Sequence, residues 1–199
     1  MLNLKNLFAR AMLALMLVTG AGAASAGPTY QVTIDTEGLS GTGMLDFAFL
    51  GLGSAGPATA YLSNFSGDYG DYWLEGDATG TRDTGITMGN AVFFNDFLQS
   101  VTLGGIFRFN VMFDQAGEGD GMTLGVALYD EFFTTYLGAE GSLVQFDLIP
   151  GSGVAVSAAE GVARVAEVPE PASMAMLLAG LMLMGAVVRG RRAAQASQL

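Results

Sequence analysis

The fold of this chain is decided by residues 101–129, which read VTLGGIFRFNVMFDQAGEGDGMTLGVALY. Apolar and polar side chains alternate in the first half of this stretch, as in a strand with one buried face. The apolar side chains of that face are Phe107, Phe109, Val111 and Phe113. Residues 114–121 are rich in acids and glycines, as a turn is. The stretch therefore predicts a β-hairpin with arms Val101–Phe113 and Met122–Tyr129.

Shorter stretches before and after this one repeat the pattern. The further strand candidates are Tyr30–Asp35, Met44–Leu50, Ala58–Phe65, Tyr72–Gly76, Leu143–Leu148 and Val154–Val156. Asn90–Leu98 has aromatic residues at 93, 94 and 97, a spacing that fits a helical turn as well as a strand. Many short strands separated by glycine-rich turns predict an all-β fold, an antiparallel β-sandwich with a jelly-roll-like arrangement preferred.

The charge of the region between the two apolar ends is strongly negative. All nineteen acidic residues of the chain lie between Asp35 and Glu170, and the only basic residues there are Arg82, Arg108 and Arg164. The region therefore carries a net charge of −16, which repels nucleic acid and anionic membrane surfaces. We expect no nucleic-acid partner.

The side chains available for catalysis are few. The chain has no histidine and no cysteine, and the acidic region has no lysine. Ser-His-Asp, Cys-His and Ser-Lys catalysis and histidine-rich metal sites are thus excluded, and no disulfide can support the fold. Paired carboxylates remain available for glycoside hydrolysis, but nothing distinguishes one pair from another. We expect a protein that is not an enzyme and nominate no catalytic residue.

We expect no cofactor; calcium is the one that such a sequence allows, since it binds carboxylates and loop carbonyls. Asp114, Glu118 and Asp120 share one glycine-rich turn, and a second acidic stretch holds Asp68, Asp71, Glu75 and Asp77. Neither follows the spacing of a known calcium loop, and an acidic surface that places its acids in turns explains both.

Three aromatic residues near the second acidic stretch allow two interpretations. Tyr69, Tyr72 and Trp73 are suited to stacking on sugar rings, with the neighbouring carboxylates accepting hydrogen bonds from hydroxyl groups. The same side chains equally suit packing in the core or along a sheet edge. Carbohydrate binding therefore stays a hypothesis at this stage.

The first 26 residues have the three parts of a secretory signal peptide. Lys5 and Arg10 supply the basic region, and Ala11–Val18 forms an apolar core that is too short to span a membrane. Small residues stand at Ala24 and Ala26, the two positions that signal peptidase recognises. We expect a signal helix that is cleaved before Gly27.

A second apolar segment follows the acidic region. Residues 172–188 carry no charge and would extend about 25 Å as a helix, somewhat short of a hydrocarbon core of about 30 Å. The basic residues Arg189, Arg191 and Arg192 follow at once and are expected on the cytoplasmic side. The pattern predicts a single transmembrane helix with the acidic domain outside.

The motif Val168-Pro169-Glu170-Pro171 precedes this segment. Because each proline disfavours a helical conformation in the residue before it, the motif is expected to be extended and exposed to water. A plain anchor whose helix merely starts at the motif explains these residues as well.

The order of motif, apolar segment and arginine cluster resembles the PEP-CTERM sorting signal of Gram-negative bacteria. This resemblance covers residues 168–192 only. It implies recognition at the inner membrane by an exosortase, a transpeptidase thought to cut at the motif, in a host that makes extracellular polysaccharide.

Together these observations predict a linear organisation. The expected segments are a signal peptide (1–26), an acidic β-sandwich domain (27–150), a linker (151–167), the sorting signal (168–192) and a cytoplasmic tail end (193–199). We expect an exported, non-enzymatic surface or extracellular-matrix protein that is anchored in the inner membrane and then processed. The alternative is a calcium- or carbohydrate-binding module that acts as an adhesin or exopolysaccharide ligand, and a carboxylate-based glycosidase is the least favoured.

Overall fold

The computed structural model describes residues 27–115 and 117–169, together with 179, 180 and 182. Its strands are β1 (Thr29–Asp35), β2 (Thr42–Gly51), β3 (Ala58–Ser66), β4 (Tyr69–Glu75), β5 (Ala78–Thr81), β6 (Gly85–Gly89), β7 (Asp96–Thr102), β8 (Ile106–Gln115), β9 (Met122–Asp130), β10 (Ser142–Ile149), β11 (Gly153–Ala158) and β12 (Ala163–Val168). The predicted signal helix and nearly all of the predicted transmembrane helix lie outside the described residues. Within the described part of the chain, no helix is long and apolar enough to cross a membrane.

The strands form two antiparallel sheets of six strands each, which confirms the all-β prediction. Sheet A has the order β12-β1-β8-β3-β6-β5, and sheet B has the order β11-β10-β9-β2-β7-β4. β1 to β4 alternate between the sheets, and so do β7, β8 and β9. Strands that are neighbours in sequence therefore mostly face each other across the core.

One core is shared by both sheets. The ring of Phe47 in β2 lies 4.9 Å from that of Phe97 in β7 and 5.0 Å from that of Phe109 in β8. Tyr30 in β1 contacts Phe146 in β10 at 5.4 Å. The predicted inner face of β8 is confirmed, since its alternate side chains are buried. Burying an aromatic side chain contributes about 1.5–3 kcal/mol, so these contacts hold the sheets together.

The predicted hairpin is wrong. β8 lies between β1 and β3 in sheet A, whereas β9 lies between β10 and β2 in sheet B. Val101 belongs to β7, which a turn at Gly104 separates from β8. The connection after β8 crosses from one sheet to the other, where the Asp120 amide donates to the Ser54 carbonyl at 3.2 Å. Alternation shows that each strand has a face on the core, but it does not say which strand lies beside it.

The residues of the predicted linker, 151–167, form β11 and most of β12, and the strand candidate Val154–Val156 lies within β11. β12 pairs antiparallel with β1 in a register that runs from Thr29 opposite Val168 to Ile34 opposite Ala163. Both strands lie at sheet edges and bury few side chains, so their sequences lack the strong alternation of central strands.

The ambiguous stretch 90–98 ends in a strand. Residues 90–95 form a bend, and β7 begins at Asp96. Phe97 is fully buried, whereas Phe93 is 76% exposed. Only one of the three aromatic residues therefore faces the core along β7.

Candidate functional site

The three calcium candidates of the turn after β8 do not converge on one point. Asp114 ends the outer face of β8, opposite Thr59 of β3, while the Asp120 carboxylate accepts a hydrogen bond from the Ser54 hydroxyl. Glu118 lies between them in an exposed loop. Among the residues that the structure describes, no three acidic side chains are placed to share a metal ion.

The second acidic stretch is likewise dispersed. Asp71 and Glu75 belong to β4, and the Asp68 carbonyl accepts from the Thr102 amide at 3.0 Å. The Asp77 carboxylate accepts from the Ala91 amide at 2.9 Å. Asp77 and Asp114, one acid from each predicted cluster, line an open groove of about 650 Å³.

The three predicted aromatic residues separate into two groups. Tyr69 and Tyr72 pack against the core, and the Arg82 guanidinium lies 5.6 Å and 5.7 Å from their ring centres. Trp73 points the other way and is 52% exposed on the outer face of sheet B, opposite Leu98 of β7. Packing is thus the role of the tyrosines, and only Trp73 is free to meet a ligand.

Beside Trp73 lies a row of three carboxylates, of which the sequence had drawn attention only to Glu75. Glu75 of β4 is the register partner of Asp96 of β7, and Asp96 is in turn the partner of Ala48 of β2. Asp46 stands two residues before Ala48 and faces the same side of the sheet. We name Glu75, Asp96 and Asp46 the carboxylate row.

Two members of the carboxylate row are poorly solvated and lack hydrogen-bond partners. Asp96 is 4% exposed, and its Oδ1 atom has no donor; the Oδ1 atom of Asp46 is buried and lacks a donor too. Burial raises the pKa of Asp46 to about 6. Burial, with the nearby charges of Asp46 and Glu75, raises the pKa of Asp96 to about 6. Both groups are therefore partly protonated in weakly acidic solution.

An aromatic cluster borders the row on the side of β9. The Tyr129 ring lies 4.5 Å from that of Tyr136 and 5.4 Å from that of Phe133, and the Tyr129 hydroxyl donates to the Tyr136 hydroxyl at 3.0 Å. Burial raises the pKa of Tyr129, and the hydrogen bond to Tyr136 and the charges of Asp46 and Asp96 add to this effect. The negative charges of Asp46 and Asp96 are thus close enough to affect the ionisation of Tyr129.

The carboxylate row suits binding better than catalysis. A general acid must contact the oxygen that it protonates, and Asp96 is too buried for that contact. The arrangement of exposed Trp73 beside negative charge suits a ligand that offers a positive charge or hydroxyl hydrogens. Asp46 interrupts the apolar run of β2, which marks this one residue in the sequence but not its partners on β4 and β7.

The residues of the predicted processing sites are described only in part. Gly27, Val168 and Pro169 lie within the described residues, and Thr29 pairs with Val168. The remaining predicted residues lie outside them, namely Ala24, Ala26, Glu170, Pro171, Arg189, Arg191 and Arg192.

Comparison of the chain with family models, with curated proteins and with solved structures finds no match.

Proposed function

We propose that this chain is an exported, non-enzymatic surface or extracellular-matrix protein whose β domain is delivered and released by signals at its two ends. The supporting observation is that the domain fills the interval between the two expected processing sites. β1 begins at Thr29, just after the expected cleavage before Gly27, and β12 ends at Val168, the first residue of the sorting motif. Removing both signals would leave every strand of the domain intact.

The pairing of the first and last strands adds a spatial argument. Thr29 lies opposite Val168 in the β1–β12 ladder, so both chain ends leave sheet A at the same place. Directly opposed residues have Cα atoms about 4.5–5.5 Å apart. A signal peptide and a membrane anchor attached there would reach the same membrane surface without distorting the domain.

The partners follow from this organisation. Signal peptidase acts at the first end, and an exosortase acts at the sorting motif while the inner membrane holds the chain. The acidic, lysine-free domain then lies at the cell surface or outside the cell, where its negative charge favours solubility.

The strand order supports a jelly-roll-like arrangement for the sandwich. In that arrangement, successive strands are placed in opposite sheets. β1, β3 and β8 in sheet A and β2, β4 and β7 in sheet B fit this scheme, whereas β5 and β6 lie together in sheet A and β9, β10 and β11 lie together in sheet B.

Carbohydrate binding is the second candidate function. Its specific support is Trp73, which is 52% exposed beside the carboxylate row, since flat aromatic faces stack on sugar rings. In this form the protein would be a ligand of the exopolysaccharide of its host.

Fractionation of a host that contains an exosortase tests the leading proposal. In the double variant Pro169→Ala, Glu170→Gln, the chain should stay in the membrane fraction at higher mass, whereas the unaltered chain is shortened and released. Glu167→Gln changes an acid of β12 just before the motif and serves as the control that should behave like the unaltered chain. Release of the double variant at the normal mass would contradict the proposal.

A further inference from the structure

We propose that the outer face of sheet B binds a ligand with a primary ammonium group, held by the carboxylate row and flanked by Trp73. This site does not depend on the sorting signal. It joins residues of β2, β4 and β7, which are distant in sequence and adjacent in the sheet.

The first argument is uncompensated charge. Glu75 lies directly opposite Asp96, and Asp46 is diagonal to Asp96 on the same face. Directly opposed residues have Cβ atoms about 5 Å apart, and diagonal neighbours are about 7–8 Å apart. At these distances the three negative charges repel one another. The three arginines of the described domain lie elsewhere: Arg82 over two tyrosine rings, Arg108 in β8 and Arg164 in β12 of sheet A. A bound cation would relieve this repulsion.

The second argument is the missing hydrogen-bond donors. Oδ1 of Asp96 and Oδ1 of Asp46 have no partner, although Asp96 is 4% exposed. A buried oxygen without a donor costs about 1–3 kcal/mol, so such atoms are rare unless another group serves them. The positive charge of an ammonium group close to these oxygens would offset their missing solvation without a direct hydrogen bond to either buried atom. Contact with the more exposed Glu75 and Asp46 would place its charge above Asp96.

The aromatic side chains determine the type of cation. Trp73 is exposed next to Glu75 on β4, and an indole face attracts an ammonium group that lies within about 6 Å. Tyr136 and Phe133, both 44% exposed, border the other side. Strands are about 4.8 Å apart, so β4 and β9, the strands that carry Trp73 and Tyr129, are separated by roughly 14 Å, and Tyr136 pairs with Tyr129 on the far side of β9. This length suits an amine on an extended molecule.

The carboxylates are spread across three strands, whereas a metal ion needs its ligands to converge on one point at about 2.3–2.6 Å. An organic cation tolerates such a row, because charge attraction and aromatic contact do not need a fixed coordination shell. Two classes of molecule offer such an ammonium group: an amino sugar in a partly deacetylated polysaccharide, and a linear polyamine.

Tryptophan fluorescence can test the site directly, because Trp73 is the only tryptophan of the chain. The full chain in a neutral detergent is titrated at pH 7 with a glucosamine oligosaccharide and with the N-acetylated oligosaccharide of the same length. We expect saturable change with the first and at least tenfold weaker binding of the second. Equal binding of both oligosaccharides, or no saturable change with the glucosamine oligosaccharide and with spermidine, would overturn the proposal.

Matched variants locate the binding. Glu75→Gln and Asp46→Asn should each weaken binding about tenfold, whereas Asp114→Asn, which removes a charge from the outer face of sheet A, should leave it unchanged. An equal loss in all three variants would indicate attraction by overall charge and overturn the site. A melting curve of each variant shows that it is folded.

Spermidine separates the two sources of the ammonium group. If spermidine competes as well as the glucosamine oligosaccharide does, the cation alone is recognised. If only the oligosaccharide binds, the sugar ring contributes as well, through Trp73. Trp73→Phe should then weaken binding less than Trp73→Ala, measured by titration calorimetry because neither variant contains a tryptophan.

Discussion

The outer faces of the two sheets differ although both sheets have six strands and share one core. On sheet A, the outward side chains of β8 include Arg108, Asn110 and Asp114, which remain in contact with water. On sheet B, the side chains of Asp46 and Asp96 are poorly solvated, and the Oδ1 atom of each has no hydrogen-bond donor. The inner faces hold the fold together, whereas the buried carboxylates on the outer face of sheet B lower the stability of the fold.

The largest expected effect concerns the core, which the inner faces of the two sheets share. Phe47→Ala removes a ring that contacts both Phe97 of sheet B and Phe109 of sheet A. Such a substitution costs about 3–5 kcal/mol. Denaturation followed by tryptophan fluorescence and by circular dichroism should show one coincident transition at lower denaturant. Two separate transitions would mean that the sheets do not unfold as a unit. The outer faces would then belong to two parts of independent stability.

The next effect concerns pH and is specific to sheet B. In the folded protein, burial raises the pKa of Asp46 and of Asp96 to about 6, from the usual aspartate value of 3.8. The folded state therefore binds their protons more tightly than the unfolded state does. The resulting contribution to the free energy of unfolding is fully present below pH 4 and is lost as the pH rises through 6. The loss should be about 2 kcal/mol in total, since solvent near the sheet surface screens part of the charge. Unfolding free energies from pH 4 to pH 7.5 measure it, and a rise in stability over this range would refute the assignment.

Asp96→Asn should remove much of that dependence. The substitution keeps the shape of the side chain and removes its charge, so we expect a gain of about 1 kcal/mol at pH 7 and little change at pH 4. Asp114→Asn on the outer face of sheet A is the matched control and should change stability by less than about 0.5 kcal/mol. If both variants behave alike, the two faces do not differ in the way described.

The smallest effect is expected at Trp73. Because Trp73 is 52% exposed, Trp73→Ala should lower the unfolding free energy by less than about 1 kcal/mol. Circular dichroism can follow this unfolding without the indole signal. A loss as large as that of Phe47→Ala would show that Trp73 is a structural residue and would remove it from the binding face.

Part of the fold could be predicted from the sequence because burial leaves a local trace. Phe107, Phe109, Val111 and Phe113 alternate with polar residues, and the structure buries them on one face. The neighbour of β8 could not be predicted in this way, since β1 and β3 are both distant in sequence. β12 was not predicted, because an edge strand buries few side chains and its sequence therefore alternates little.

The carboxylate row could not be predicted, since it exists only through strand pairing. Glu75 and Asp96 meet because β4 and β7 pair in one register, and a shift by one residue would place them on opposite faces. The acids that looked clustered in sequence were Asp114, Glu118 and Asp120, which the structure does not bring together as a metal site. Acids that are close in sequence suggested a site in the turn after β8. The acids that are close in space belong to strands that are far apart in sequence.

The central claim is that the β domain is delivered with removable signals at both ends, and the intact mass of the protein tests it most directly. The mass is measured on protein recovered from its host with and without the exosortase. With the enzyme, we predict a chain that begins at Gly27 and ends within Val168–Pro171, which keeps β1 and β12 complete. A chain that still ends at Leu199 in the presence of the exosortase would contradict the claim.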